Sequence, residues 1–199
     1  MIEKIEKYAH ENNIPIMEKE GIDFLINYIK EHSIKRILEI GSAIGYSAIK
    51  CALVDNDITV TTIERDKERY DVAVKNISEF NLNSRINIIN DDAFNVNLKE
   101  KYDLIFIDAA KAQYIKFFEK FKNNLDENGV IVSDNLKFHG LVDGNDDNLS
   151  RNVKGLVRKL RLYIDFLQNN KEFKTIFYNV GDGVAVSSKI NFDIDNKNC

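Results

Sequence analysis

Residues 36–47 read Arg-Ile-Leu-Glu-Ile-Gly-Ser-Ala-Ile-Gly-Tyr-Ser, and this stretch decides the fold. An apolar run that ends in an acid and a glycine is typical of a buried parallel strand that meets a helix at a ligand site. Gly41 and Gly45 allow a sharp turn and a close approach of a ligand to the backbone. With Glu39 beside the next helix, the turn suits a nucleoside carrying positive charge better than a pyrophosphate. The alternative is a strand–helix turn in which the small residues serve packing alone.

The composition is that of one soluble globular domain, which we expect to span residues 1–199, with 44% hydrophobic and 30% charged residues. No apolar run is long enough to cross a bilayer, and the first residues lack the apolar centre of a signal peptide. We therefore expect a cytoplasmic protein with no membrane partner. Two cysteines do not suggest a disulfide framework or a metal cluster. The net charge of −4 does not point to nucleic acid, although a local basic patch could still bind it.

Hydrophobic periodicity along the chain predicts strands that alternate with helices, and hence an α/β fold with a parallel, doubly wound sheet. The predicted strands are residues 36–40, 58–63, 86–89, 102–108 and 130–135. A long helix to about Leu167 and a hairpin-like pair, 175–180 and 184–188, close the chain. The pair predicts a sheet that is mixed at one edge.

An acid stands at the end of each of the first five predicted strands. These residues are Glu39, Glu64, Asp92, Asp108 and Asp134. Because the carboxyl ends of strands in an open α/β sheet meet at one crevice, the five acids predict a shared site. So much negative charge in one place is unfavourable unless a cation or a hydroxyl-rich ligand binds there.

Two of these acids suggest contacts to a nucleoside. Glu64 follows Gly41 at about the separation at which an acid holds ribose hydroxyls in a nucleotide-binding βαβ unit. Asp92 and the small Ala93 suit the edge of an adenine ring. The alternatives are a solvated strand end for Glu64 and a plain turn for Asp92.

Asp108, Asp134 and Asn135 supply only oxygen atoms, which suit Mg²⁺ or Ca²⁺ better than zinc. Lys111 follows Asp108 by three residues and can face the same cavity. A lysine there is commonly a solvated charge, but beside a metal it could steer a substrate oxygen or take its proton.

A basic stripe is predicted on the long helix near the C-terminus. Its members are Arg151, Lys154, Arg158 and Arg161, spaced three and four apart and away from the apolar face. The apolar face comprises Leu149, Val153, Leu156, Val157, Leu160, Ile164 and Leu167. Such a stripe could follow the phosphates of an RNA loop; the alternative is a solvated helix face that happens to be basic.

With these residues, the chain resembles the cation-dependent class I O-methyltransferases, the family of catechol and caffeoyl-coenzyme-A O-methyltransferases. The matching motifs are Leu38–Gly41, Gly45–Ser47, Phe106–Lys111, Ser133–Asn135 and Gly181–Gly183. The resemblance implies a Rossmann-like fold with a mostly parallel seven-stranded sheet, an antiparallel C-terminal strand and helices on both faces. It also implies that the helices within residues 1–30 cover the site and that the protein is a homodimer.

The resemblance further implies the cofactors and the roles of the site residues. S-adenosylmethionine would contact Met17, Glu39, Gly41, Gly45, Ser47, Glu64, Asp92, Ala93 and Asp108. Asp108, Asp134 and Asn135 would hold Mg²⁺, and Lys111, with Asp108, would serve catalysis.

The sequence is most similar to the small bacterial members that methylate the 5-hydroxyl of 5-hydroxyuridine at the wobble position of the tRNA anticodon loop. Segments 8–9, 15–18, 43–49, 62–66 and 105–111 carry this similarity. Ala110 stands where plant members have an acid, which disfavours a coenzyme-A ester as substrate.

Other functions remain open from the residues. Catechol and 5-hydroxyuracil both offer two neighbouring oxygens to a metal, so the site alone does not choose between a tRNA and a small catechol. A nucleoside-binding sensor fits poorly with open metal positions beside a methyl donor. The loop also lacks the spaced glycines of a dinucleotide oxidoreductase.

Overall fold

The structure, a computed structural model, describes residues 1–142, 144 and 149–190. Its helices are α1 (Ile2–Glu11), α2 (Lys19–Glu31), α3 (Tyr46–Ala52), α4 (Lys67–Glu79), α5 (Tyr114–Phe121) and α6 (Arg151–Gln168). Its strands are β1 (Arg36–Ile40), β2 (Thr59–Glu64), β3 (Ile86–Asn90), β4 (Tyr102–Ile107), β5 (Leu125–Ser133), β6 (Phe173–Tyr178) and β7 (Val184–Lys189). Short 3₁₀ turns at Lys111–Gln113 and Lys122–Asn124 flank α5.

One sheet of seven strands has the order β3-β2-β1-β4-β5-β7-β6. The strands from β3 to β5 pair in parallel, whereas β7 runs antiparallel to both of its neighbours. This arrangement confirms the predicted Rossmann-like sheet that is mixed at one edge. The first strand of the hairpin lies earlier in the chain than predicted. It ends before residue 180, because the N–H of Gly183 donates to the carbonyl of Val180 at 2.9 Å and places residues 180–183 in the turn.

Both faces of the sheet are covered, which explains the nearly continuous apolar strands. On one face, Ile37, Phe106 and Val132 pack in a cluster that includes residues of α1, α2 and α3. On the other face, Leu38, Ile105 and Ile131 pack with residues of α5 and α6. The side chains of each central strand therefore alternate between two cores.

Helix α6 packs through Val157, Leu160, Tyr163 and Leu167. Tyr163 was not among the residues of the predicted apolar face. In the structure its ring is buried, and its hydroxyl lies 2.6 Å from the hydroxyl of Ser133. Ser150 caps the helix by accepting from the N–H of Val153 at 3.4 Å. Over the described residues, the helices lack the combination of length and apolar character that a membrane crossing requires.

Candidate functional site

A cavity of about 570 Å³ lies at the carboxyl ends of β1, β2, β4 and β5. Of the residues predicted for the site, nine line it: Met17, Gly41, Ser47, Glu64, Asp92, Ala93, Asp108, Lys111 and Asn135. Three more, Glu39, Gly45 and Asp134, lie behind this wall and are buried. The predicted RNA-binding residues of α6 are not on the wall.

The turn after β1 lies so close to the backbone at the end of β4, its neighbour in the sheet, that only glycine fits at Gly41. Its φ is +95°, and a Cβ built there would lie 2.5 Å from the carbonyl oxygen of Asp108. Its N–H donates to the carbonyl of Ile63 at 2.9 Å. The glycine thus allows three strand ends to meet beneath the cavity.

The carboxylate of Glu64 supports this turn from β2. One oxygen accepts from the N–H of Ala43 at 2.9 Å, and the other accepts from the N–H of Asp66 at 2.8 Å. Ala43 has a φ of +45°, so this bond also stabilises a left-handed residue in the turn. Each carboxylate oxygen keeps a second lone pair, which leaves both able to accept from ligand hydroxyls.

Glu39 is enclosed beneath the turn and does not line the cavity. The hydroxyls of Ser47 and Thr62 both donate to its carboxylate, the latter at 2.5 Å. Burial raises the pKa of Glu39 to about 7, and these two hydrogen bonds oppose the shift. The sequence predicted a direct ligand contact; the structure instead places the carboxyl where it fixes Ser47, which does line the cavity.

One end of the cavity is built from the loop after β3. Asp92 accepts from the N–H of Phe94 at 2.9 Å and so shapes the turn. Phe94 stacks on Phe117 at 4.8 Å between ring centroids, and Arg69 lies on the same wall. This end offers a small residue, Ala93, between an acid and an aromatic pair. Binding of an adenine edge there stays a prediction.

At the other end, two acids share a region from which water is largely excluded. Burial and the neighbouring Asp108 raise the pKa of Asp134 to about 7. Burial likewise raises the pKa of Asp108, while the charge of Lys111 lowers it. The ammonium of Lys111 donates to the side-chain oxygen of Asn135 at 2.9 Å. Both pKa values are raised first by burial, which disfavours the charged form of a carboxyl.

The predicted metal ligands are thus two acids and an amide. Within the described part of the chain, no group of three or more His, Cys, Asp or Glu side chains could hold a metal ion. Any metal at this end would depend on the oxygen of Asn135 to complete the protein ligands.

Several wall residues were missed by the sequence reasoning. The most informative are Asp182, from the turn between β6 and β7, and Phe138 and His139, from the loop after β5. Their signal was available, because Asp182 lies in the Gly-Asp-Gly motif and the two rings directly follow the Asp134–Asn135 pair. Only the sheet order, which puts β7 next to β5, brings them together.

The basic stripe on α6 is shorter than predicted. Arg161 is half-buried and donates to the carbonyls of Val142 and Gly144, at 3.0 and 2.8 Å. It therefore ties the loop after β5 to the helix. Arg151 and Arg158 are exposed, and Lys154 is half-buried.

A sequence model of the O-methyltransferase family matches residues 1–190. This chain belongs to the O-methyltransferase family.

Solved structures and characterised sequences agree with that membership. A Staphylococcus aureus protein assigned provisionally as a caffeoyl-CoA O-methyltransferase is 38% identical, with a TM-score of 0.89 over 95% of this chain and 92% of that one. A Bacillus cereus O-methyltransferase in complex with SAH is 25% identical, with a TM-score of 0.81 over 95% and 90%. The caffeoyl-CoA O-methyltransferase of Populus kitakamiensis is 25% identical over 93% of this chain and 82% of its own length. Together these relatives support S-adenosylmethionine-dependent methyl transfer to an oxygen.

Proposed function

We propose that the protein transfers a methyl group from S-adenosylmethionine to the 5-hydroxyl of 5-hydroxyuridine in the anticodon loop of tRNA, with Mg²⁺ as a second cofactor. The observation that carries the methyl transfer in this proposal is the carboxylate of Asp108 on the cavity wall, with that of Asp134 buried behind it, at one end of a cavity whose other end suits an adenosine. The sulfonium of the donor would lie between these ends, close to the turn that Gly41 forms.

The residues at the acceptor end fit a divalent cation. Asp134 is buried beside Asp108, and burial and that neighbouring charge raise its pKa. A divalent cation between the two carboxylates would offset their repulsion. Asp108, Asp134 and Asn135 would hold the ion through three oxygens, in keeping with the preference of Mg²⁺ for oxygen ligands and retained water. When bound, such an ion lowers the pKa of a coordinated hydroxyl and orients two neighbouring oxygens.

The chain's own residues supply the remaining requirements of an in-line displacement. The Gly41 turn and Glu64 would fix the donor, so that positioning supplies much of the rate. Lys111, anchored on Asn135, can stabilise an acceptor oxygen that loses its proton. The buried hydroxyl of Tyr114 donates to the carbonyl of Asp134 at 3.1 Å and holds that strand end in place.

Two features favour an RNA acceptor. Helix α6 contacts the turn Lys111–Gln113 and carries the exposed Arg151 and Arg158 within reach of a bound polyanion. The rings of Phe138 and His139 stand on the cavity wall, where an unstacked base could pack against them.

A small catechol is the second candidate acceptor. Its two neighbouring oxygens would use the same ligands as 5-hydroxyuracil does. The name of the Populus relative, a caffeoyl-CoA O-methyltransferase, favours a catechol-type acceptor.

Nucleoside analysis of tRNA from a deletion strain tests the proposal. We expect 5-methoxyuridine and its derivatives to disappear and 5-hydroxyuridine to accumulate, with recovery when the gene is restored. Unchanged levels of these nucleosides in the deletion strain would contradict the tRNA assignment.

A further inference from the structure

The loop after β5 carries three successive residues in the left-handed region of backbone conformation. The φ angles of Phe138, His139 and Gly140 are +47°, +55° and +78°. Residues other than glycine rarely adopt such angles, so the surrounding structure must hold the first two in this shape. Phe138 and His139 both line the cavity. The strained part of the loop is therefore the part that presents two rings to a ligand.

Hydrogen bonds close this loop on itself and attach its start to the sheet. The N–H of Val142 donates to the carbonyl of Lys137 at 3.1 Å, and this bond encloses the strained residues 138–140. At the start of the loop, the N–H of Leu136 donates to the carbonyl of Gly183, in the turn before β7, at 3.0 Å. Leu136 and Val142 are both buried. The start of the loop is thus anchored on the sheet, and its end has a different anchor.

The anchor at the end of the loop is Arg161 on α6. Its Nε donates to the carbonyl of Val142 at 3.0 Å, and its Nη2 donates to that of Gly144 at 2.8 Å. The planar guanidinium holds its donors in a fixed geometry that a lysine ammonium does not reproduce. On either side of Arg161 along the helix, Leu160 and Tyr163 are fully buried. The helix therefore gives the guanidinium a rigid base.

The loop belongs to the acceptor end of the cavity by its contacts and by its place in the chain. It follows Asn135, which lines the cavity and whose side-chain oxygen accepts from the ammonium of Lys111 at 2.9 Å. An acceptor held beside Asn135 would meet the rings of Phe138 and His139 as the next part of the wall. An aromatic side chain packs against a flat acceptor of either class, a nucleobase or a catechol.

We propose that Arg161 is a positioning residue for the acceptor, which holds the loop after β5 so that Phe138 packs against the acceptor ring. This inference rests on the proposed function only for the choice of acceptor, since a catechol would use the same wall. Arg161 is not on the cavity wall, so it acts through the loop and not by touching the substrate. The exposed Arg158, three residues earlier, would instead contact RNA directly.

A double-mutant cycle of Arg161→Met and Phe138→Ala tests this role, with free 5-hydroxyuridine and an anticodon stem–loop carrying 5-hydroxyuridine as acceptors. In Arg161→Met we expect KM to rise about tenfold for both acceptors, because the ring contact supports the ground state and the transition state alike. We expect kcat to stay within about threefold, and the Kd of S-adenosylmethionine within about twofold in calorimetry. In the Phe138→Ala background, Arg161→Met should raise KM less than about threefold, because the ring that it positions is gone.

Two further variants separate the geometry of the guanidinium from its charge. Arg161→Lys keeps the charge but reaches one carbonyl at a time, so we expect KM to rise about threefold. Lys159 is exposed on the same helix, and Lys159→Met removes a charge without touching the loop. It should leave KM for free 5-hydroxyuridine unchanged.

Additive losses in the cycle, a rise in KM for the stem–loop alone, or an equal weakening of S-adenosylmethionine binding in Arg161→Met would overturn the role of Arg161. Each of these results would leave the proposed function standing. A wild-type protein that methylates a catechol but neither 5-hydroxyuridine acceptor would overturn the proposed function, and the same cycle measured on the catechol would then decide the role of Arg161.

Discussion

The carboxyl of Glu39 occupies a site that no solvent reaches, at the point where β1 meets the glycine turn. Its folded-state pKa of about 7 lies above the ordinary value of 4.5 because burial disfavours the charged form. The folded protein therefore binds more protons than the unfolded chain between these two pH values. The stability that this group contributes is fully present below pH 4.5 and is lost as the pH rises through 7.

Glu39→Gln should remove that dependence. In urea unfolding of the ligand-free protein, we expect the variant to gain stability relative to wild type between pH 5 and pH 8.5, by up to about 3 kcal/mol. Glu79→Gln, at an exposed position on α4, is the control and should leave the pH profile unchanged. A constant difference in unfolding free energy between Glu39→Gln and wild type across this range would contradict the raised pKa of the Glu39 carboxyl.

Gly41 offers a second test at a single residue. Gly41→Ala would place a methyl group 2.5 Å from the carbonyl of Asp108 at a φ of +95°, so the backbone must shift. We expect a loss of at least about 2 kcal/mol in urea unfolding and at least about tenfold weaker S-adenosylmethionine binding by calorimetry.

Gly155 supplies the matched control, since nothing lies within 4 Å of a Cβ built there and the residue is exposed on α6. Gly155→Ala should stabilise the protein by about 0.5–1 kcal/mol. Equal stability changes for the two alanine variants would contradict the account of the turn.

Among the elements, α6 is the one on which the proposed preference for an RNA over a small acceptor depends. Arg161 is committed to the carbonyls of the loop after β5, so a test of charge should leave it intact. The double variant Arg151→Glu, Arg158→Glu should lower kcat/KM for tRNA at least about tenfold and flatten its salt dependence, while turnover of free 5-hydroxyuridine stays unchanged.

The control for α6 carries the same charge change at the opposite edge of the sheet. Lys75 on α4 and Lys99 after β3 are both exposed, and their reversal to Glu should leave tRNA turnover within about twofold. An equal loss in both double variants would indicate an effect of net charge and not a contact of α6.

The alternation of strands and helices along the chain could be predicted from the sequence, because apolar runs, acids and glycines each reflect one local requirement. The contacts that individual polar side chains make could not be predicted in this way. Glu39 and Glu64 both follow apolar runs, yet Glu39 is enclosed with Ser47 and Thr62 while Glu64 reaches the cavity. The role of Arg161 depends on a loop that its spacing on the helix does not reveal, and Asp182 reaches the site only because β7 inserts beside β5.

In the molecule as a whole, one cavity has two ends that differ in their side chains. In the proposed function, the turn after β1, Glu64 and the loop after β3 would bind the donor, and the ends of β4 and β5 with the turn before β7 would bind the acceptor. The parallel strands carry both ends on one rigid edge. The homodimer that the family resemblance implies stays a prediction, as does the identity of the metal.

Methyl transfer by the purified protein to an anticodon stem–loop with 5-hydroxyuridine tests the central claim most directly. Mass spectrometry should detect 5-methoxyuridine with S-adenosylmethionine and Mg²⁺, should show its loss after chelation and its return with added Mg²⁺, and should show kcat/KM above that for a small catechol. Asp134→Ala should form no product while still binding S-adenosylmethionine in calorimetry. Full activity after chelation, or a higher kcat/KM for the catechol, would contradict the account.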